Sequence, residues 1–274
     1  MPETRSQGIR IAYDDLGRGA VAFLFLPGWC GSRRVFDPLV ARCSKSRRTL
    51  ALDWRAHGGS GDAPDDFGTG ALVEDAIAVI EASGVESVVP VALSHAGWVA
   101  IELRRRLGGR VGAIALLDWI VLDPPPPFLS ALQALQDPGR WQQARDGLFG
   151  MWLDGLDLPA LTAYVREDMG SYPFGMWARA GREINDAYAR AGSPLRALRT
   201  LQPPVPVLHL YAQPEDAGYL AAQQSFGDAH PWFEASRLDA RSHFPMLEAP
   251  GDMASILERF VDGARTRRPR RSDT

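Results

Sequence analysis

The sequence predicts an α/β fold: a mostly parallel central sheet flanked by helices, with a helical cap inserted into the chain. Short β-branched or apolar runs alternate with helical patterns as far as Asp118, the rhythm expected of strands joined by crossover helices. The alternation stops at Asp123-Pro124-Pro125-Pro126-Pro127, where amphipathic stretches carrying Trp141, Trp152 and Trp177 take over, and it returns at Val205. A chain of 274 residues, 46% hydrophobic, is long enough to bury one core of this size.

In order along the chain, strands are expected at 10–14, 20–26 and 48–53, a helix at 71–83, a strand at 87–93, a helix at 97–107 and an apolar run at 111–117. The proline run is expected to be neither helix nor central strand, because proline lacks the N–H that both need, and it marks a boundary. After it come the cap helices, then a strand at 205–211, a helix at 217–226, a strand at 233–238 and a closing helix at 253–261. The expected organisation is a core of 1–120 and 196–264, a cap of 121–195, and a basic, disordered tail of 265–274.

Composition narrows the function classes. The net charge is −3, but Ala264 to Thr274 holds five arginines and one aspartate, so the tail's +4 leaves the rest of the chain at −7. An acidic body with a frayed, solvated terminus does not suggest a nucleic-acid partner. No run reaches the ~18 apolar residues that span a bilayer, and MPETRSQGIR has no apolar stretch of leader type. A cytoplasmic monomer without membrane attachment is expected. Cys30 and Cys43 are the only cysteines, too few for a disulfide framework, and no metal-binding spacing accompanies them.

Four loops fall at the C-terminal ends of expected strands, where open α/β sheets gather ligands: Pro27-Gly28-Trp29-Cys30, Ser94-His95, Asp118-Trp119 and Ser242-His243-Phe244-Pro245. Ser94 ends the apolar run of VVPVALSHAGW, the pattern of a nucleophile elbow in an α/β-hydrolase, which lifts a hydroxyl off a strand end and aims backbone amides at the reacting oxygen. The usual GxSxG is altered here to Ala92-Leu93-Ser94-His95-Ala96. Ser94 alone could be a helix cap, and His243 alone a packing residue. Their coincidence with the other loops, in the order serine, acid, histidine, favours function. For the acid, Asp118 is preferred because it emerges directly from a buried run. Glu215 and Asp216 of QPED, one strand later where the acid more often lies, read as a solvated turn or helix cap. Asp53 and His57 of LDWRAHG are expected to serve turn geometry, His209 to be a core residue and His230 a surface or packing residue. Trp29, Trp152 and Trp177 are candidates for an aromatic pocket suited to a planar bicyclic ligand; Trp54, Trp98, Trp141 and Trp232 are read as packing.

With these residues assembled, the chain resembles the cofactor-independent 3-hydroxy-4-oxoquinoline and 3-hydroxy-4-oxoquinaldine 2,4-dioxygenases, a branch of the α/β-hydrolase fold. The resemblance covers nearly the whole chain and rests on LPGWCGSRRVFDPL, LDWRAHG, LSHAGW, LLDWIVLDPPPPF, WARAGREINDAYARAGSP and SHFPMLEAP. It implies that His243, oriented by Asp118, removes the proton of a substrate 3-hydroxyl while Ser94 positions the substrate. The backbone amides of Trp29 and His95 would form an oxyanion hole, with Trp29, Ser94, His95, Trp152 and Trp177 contacting the substrate. The deprotonated ring would react with dioxygen itself, needing no metal or flavin, and release carbon monoxide and an N-acylanthranilate. Gly31 stands where some members carry histidine, and a glycine there together with a small-residue cap is expected to make room for a longer C2 alkyl group such as heptyl. The competing readings are a serine esterase or amidase with a Ser94-His243-Asp118 triad, Glu215 being the other possible acid, and a non-catalytic small-molecule receptor.

Overall fold

The computed structural model describes residues 2–266. Its eight strands are β1 (Glu3–Ser6), β2 (Ile9–Leu16), β3 (Val21–Leu26), β4 (Arg48–Leu52), β5 (Ser87–Leu93), β6 (Ile114–Leu117), β7 (Val207–Tyr211) and β8 (Phe233–Arg237). They form one sheet in the order β1-β2-β4-β3-β5-β6-β7-β8. Only β1–β2 and β2–β4 pair antiparallel; every other neighbouring pair is parallel. The central strands are apolar on both faces, as helix-covered parallel strands must be: Phe23, Leu24, Phe25, Leu26, Val91, Ala92 and Ile114 through Leu117 are all fully buried.

The helices are α1 (Asp37–Cys43), α2 (Thr69–Ser83), α3 (Ala96–Leu107), α4 (Pro126–Leu135), α5 (Trp141–Leu153), α6 (Pro159–Ala163), α7 (Phe174–Ala191), α8 (Pro194–Leu198), α9 (Ala217–Ala229), α10 (Pro245–Glu248) and α11 (Pro250–Thr266). α4 to α8 lie between β6 and β7, and a π-helical turn, Tyr164–Asp168, follows α6. In this stretch α4 packs against both α5 and α7. The expected strands and long helices are present, with shifts at their ends.

Several expectations need correction. Pro126 and Pro127 are helical: they open α4, because the first turn of a helix has no use for the N–H that proline lacks. The apolar run at 111–117 is shorter as a strand, with Val111 making only an isolated bridge to Val88 before pairing resumes at Val91–Ala115. That interruption falls beside Pro90, which cannot donate to a ladder. The closing helix is longer at both ends than 253–261 and runs to Thr266. The tail beyond it, 267–274, lies outside the described residues. β1 and α1 are additional elements. The hairpin between β1 and β2 turns on Gln7 and Gly8, both with positive φ, a two-residue turn that matches strand twist.

Candidate active site

Four loops at the C-terminal edge of the sheet converge on one cavity of about 1010 Å³. Gly28 and Trp29 follow β3, Ser94 and His95 follow β5, Asp118 and Trp119 follow β6, and His243 and Phe244 precede α10; all of them line it. Trp152 and Trp177 line it from α5 and α7, so the structure brings together every residue singled out for the site. The two loops nearest the serine abut: a Cβ on Gly28 would lie 4.0 Å from the Cβ of Ser94.

Three residues of these loops have left-handed backbone without being glycine: Cys30 at φ +56°, Ser94 at +52° and Asp118 at +41°. Such conformations cost roughly 1–3 kcal/mol each and persist only where the surroundings enforce them. For Ser94 the enforcement is visible. Its N–H donates to the Leu117 carbonyl at 2.8 Å, and Gly97 lets α3 approach so closely that a Cβ there would meet the Trp119 ring at 2.2 Å. The glycine of this elbow is therefore needed under Trp119, one position past the usual GxSxG window.

Asp118 is buried and its two oxygens are used separately. Oδ1 lies 2.8 Å from His243 Nδ1, while Oδ2 accepts the backbone N–H groups of Ala212 at 2.7 Å and Gln213 at 3.1 Å. A carboxylate oxygen accepts, so Nδ1 carries the imidazole proton and Nε2 is left with a lone pair. The ring plane is fixed by Trp152, stacked on it at 5.0 Å and 16°, and by the edge of Phe244 at 5.1 Å. Glu215 is instead paired with Arg237 at 2.9 Å, and Asp216 caps α9 by accepting the Tyr219 N–H at 2.7 Å. Neither carboxylate is the partner of His243.

Among the described residues, neither the Trp29 nor the His95 N–H has a protein acceptor, and no hydrogen bond joins the Ser94 hydroxyl to His243. The His95 ring is half-buried, stacked on Phe128 at 6.0 Å, with its Nδ1 sealed off and unpartnered. Burial, with the neighbouring His243 adding to it, pushes its pKa down to about 3, so the ring is neutral. His209, expected to be a core residue, is fully buried between Gln223 and the Trp119 amide. His230 packs on Phe226 and Trp232.

The expectation for Gly31 is not met. A Cβ there would lie 2.1 Å from the Tyr164 hydroxyl, which donates to the Ser32 carbonyl at 3.4 Å. The space above Gly31 is occupied by Tyr164 and offers no room to a substrate chain. Room is offered instead by the helices after β6, where Phe128, Ala131, Leu135, Ala144, Leu148 and Ala180 line the cavity. Sequence reading passed over these residues because apolar helix positions look alike whether they face a core or a cavity. Among the described residues no group of three or more His, Cys, Asp or Glu side chains could hold a metal ion.

Residues 23–256 match the Alpha/beta hydrolase family. The chain is 40% identical over 261 residues, 94% of its length and 97% of the relative's, to a 2-heptyl-3-hydroxy-4(1H)-quinolone dioxygenase of Mycobacteroides abscessus. It is 31% identical over 263 residues, 95% of its length and 99% of the relative's, to the 1H-3-hydroxy-4-oxoquinoline 2,4-dioxygenase of Pseudomonas putida. Among solved structures, an AqdC variant in complex with its substrate, described in connection with ring cleavage of the Pseudomonas quinolone signal, superposes with a TM-score of 0.92 at 38% identity, covering 96% of this chain and 99% of that one.

Proposed function

The chain belongs to the alpha/beta hydrolase family, within its branch of 3-hydroxy-4-quinolone dioxygenases, and on that premise we propose that it is a cofactor-independent 2,4-dioxygenase of 2-alkyl-3-hydroxy-4(1H)-quinolones. The observation that supports this best is the Asp118–His243 pair, whose free Nε2 faces an aromatic cavity next to two unpaired amides. His243 Nε2 takes the proton of the substrate 3-hydroxyl, and Asp118 stabilises the imidazolium that results. The Trp29 and His95 amides receive the negative charge that develops on the 4-oxygen, and the Ser94 hydroxyl positions the ring. The electron-rich anion reacts with dioxygen at C2. The C2 peroxide then attacks the C4 carbonyl, and the O–O, C2–C3 and C3–C4 bonds break. C3 leaves with its own oxygen as carbon monoxide, and the N-acylanthranilate keeps both atoms of O2, one as the acyl oxygen at C2 and one in the carboxylate at C4. No metal or flavin takes part.

Trp29, Trp152 and Trp177 enclose the bicyclic ring, and the 121–195 segment acts as a cap that keeps water from the anion. A cavity of about 1010 Å³ exceeds what the bicycle alone fills, which favours a substrate with an extended C2 chain and hence removal of an alkylquinolone signal. The enzyme works as a cytoplasmic monomer on a small aromatic substrate and dioxygen, where its two free, buried cysteines stay reduced.

The test is turnover in air by chelator-treated protein, with 2-methyl- and 2-heptyl-3-hydroxy-4-quinolone as substrates. Oxygen-dependent loss of substrate absorbance with release of carbon monoxide is expected. No consumption of either compound, or rapid fluorophosphonate labelling of Ser94 with ester turnover, would overturn the proposal in favour of binding alone or of a serine hydrolase.

A further inference from the structure

The loop after β4, Asp53 to Gly59, holds the oxyanion loop after β3 at several points. Trp54 Nε1 donates to the Pro27 carbonyl at 2.7 Å, Asp53 Oδ1 accepts the Arg33 N–H at 2.7 Å, and His57 Nε2 accepts the Cys30 N–H at 3.1 Å. Pro27 C=O and Cys30 N–H belong to the peptide groups on either side of the Gly28–Trp29 peptide. Pinning both leaves that middle peptide, whose N–H is the proposed oxyanion donor, one orientation.

The contact at Cys30 has the more demanding chemistry. An amide donor needs an acceptor, and His57 supplies one only as the tautomer with its proton on Nδ1. The structure provides for that: Nδ1 lies 2.8 Å from the Arg55 carbonyl, which can only accept. The ring is fully buried, with Tyr172 tilted against it at 4.9 Å and Trp29 at 6.1 Å. It also holds Cys30 in its left-handed conformation at φ +56°.

We propose that His57 is a positioning residue for ring cleavage: as a neutral acceptor at Cys30 it aims the Trp29 N–H at the substrate 4-oxygen. This rests on the dioxygenase reading, in which that oxygen gains charge along the reaction. Burial, with Arg179 adding to it, pushes the His57 pKa down to about 4, which keeps the acceptor bare in neutral solution.

The test compares His57→Gln, which places a carbonyl oxygen near the position of Nε2, with His57→Asn, which is too short to reach, and His57→Leu, which has no acceptor. His243→Ala runs in the same aerobic assay, and the thermal midpoint is read for each. The Asn and Leu variants should lose about 10- to 100-fold in kcat with KM changed less than about 3-fold, because the donor acts on charge that develops in the transition state. His57→Gln should recover at least about 10-fold of that loss. Under argon, the fraction of bound substrate present as the anion should fall in the Asn and Leu variants and recover in the Gln variant. Equal kcat for Gln and Asn, or wild-type kcat in Asn, overturns the proposal; if Leu does not fold, the Gln–Asn comparison decides alone. Full activity in His243→Ala would instead overturn the dioxygenase mechanism on which the proposal stands.

Discussion

Asp118 holds His243 by one carboxylate oxygen and the end of β7 by the other: Oδ1 is 2.8 Å from His243 Nδ1, and Oδ2 accepts the N–H groups of Ala212 and Gln213. The carboxylate is thereby locked by the scaffold as it orients the imidazole. Its side chain reaches across from β6 to the neighbouring strand, where the more usual acid would sit.

Asp118→Asn should inactivate the enzyme without unfolding it. The asparagine oxygen can keep the two backbone N–H groups, which turns its NH2 toward His243 Nδ1. Nδ1 must then accept, the proton moves to Nε2, and the base is lost. A fall of about 10³- to 10⁴-fold in kcat is expected, with the thermal midpoint shifted by only a few degrees. Steady-state kinetics and a melt of the same preparation check this.

Ser94→Ala should keep most of the catalysis, because in the proposed mechanism the hydroxyl positions the substrate and forms no covalent bond. The loss of one hydrogen bond corresponds to about 0.5–1.5 kcal/mol, or roughly 2- to 13-fold. A drop beyond about 10⁴-fold, the loss typical of a removed nucleophile, would speak for a covalent serine.

Ala180→Phe should separate substrates by chain length. Ala180 is buried on α7 between Trp177 and Ile184, where all three line the cavity. A phenyl ring there takes volume from the part of the cavity lined by α7. We expect kcat/KM for the 2-heptyl compound to fall by about 10- to 100-fold and that for the 2-methyl compound by less than about 3-fold. Competition between the two substrates measures the ratio directly.

Acid should destabilise the fold between pH 6.5 and 4. His57 and His209 are fully buried, and burial pushes the pKa of each down to about 4 from an ordinary value of 6.5. A folded-state pKa below the unfolded one means that the unfolded chain binds more protons in that window. The stability due to neutral burial is complete above pH 6.5 and is lost as pH falls toward 4, by on the order of 3 kcal/mol for each histidine. Denaturant melts across this range should show the decline, and His209→Gln should flatten it.

The sheet, its order of chemistry and the four loops were legible in the sequence because each rests on a local signal. Ser94, Asp118 and His243 each follow or precede a clear apolar run, and the tryptophans of α5 and α7 stand out by their size. What was hidden depends on contacts between distant segments. Gly31 looked like an opening because nothing in its neighbourhood announces Tyr164, 133 positions later, as the residue that fills it. His57 read as a turn residue because its partner is Cys30 on another loop. Phe128 and Ala180 became visible as cavity residues only once α4 and α7 were packed together.

The central claim is that the Asp118–His243 pair takes the proton of the substrate 3-hydroxyl, and an absorbance titration without oxygen tests it most directly. At a pH where free 2-heptyl-3-hydroxy-4-quinolone is neutral, the wild-type protein should bind it with the spectrum of the anion, and His243→Ala should bind it with the spectrum of the neutral form. A neutral spectrum on the wild-type protein, or an anion of equal amount on His243→Ala, would contradict the account.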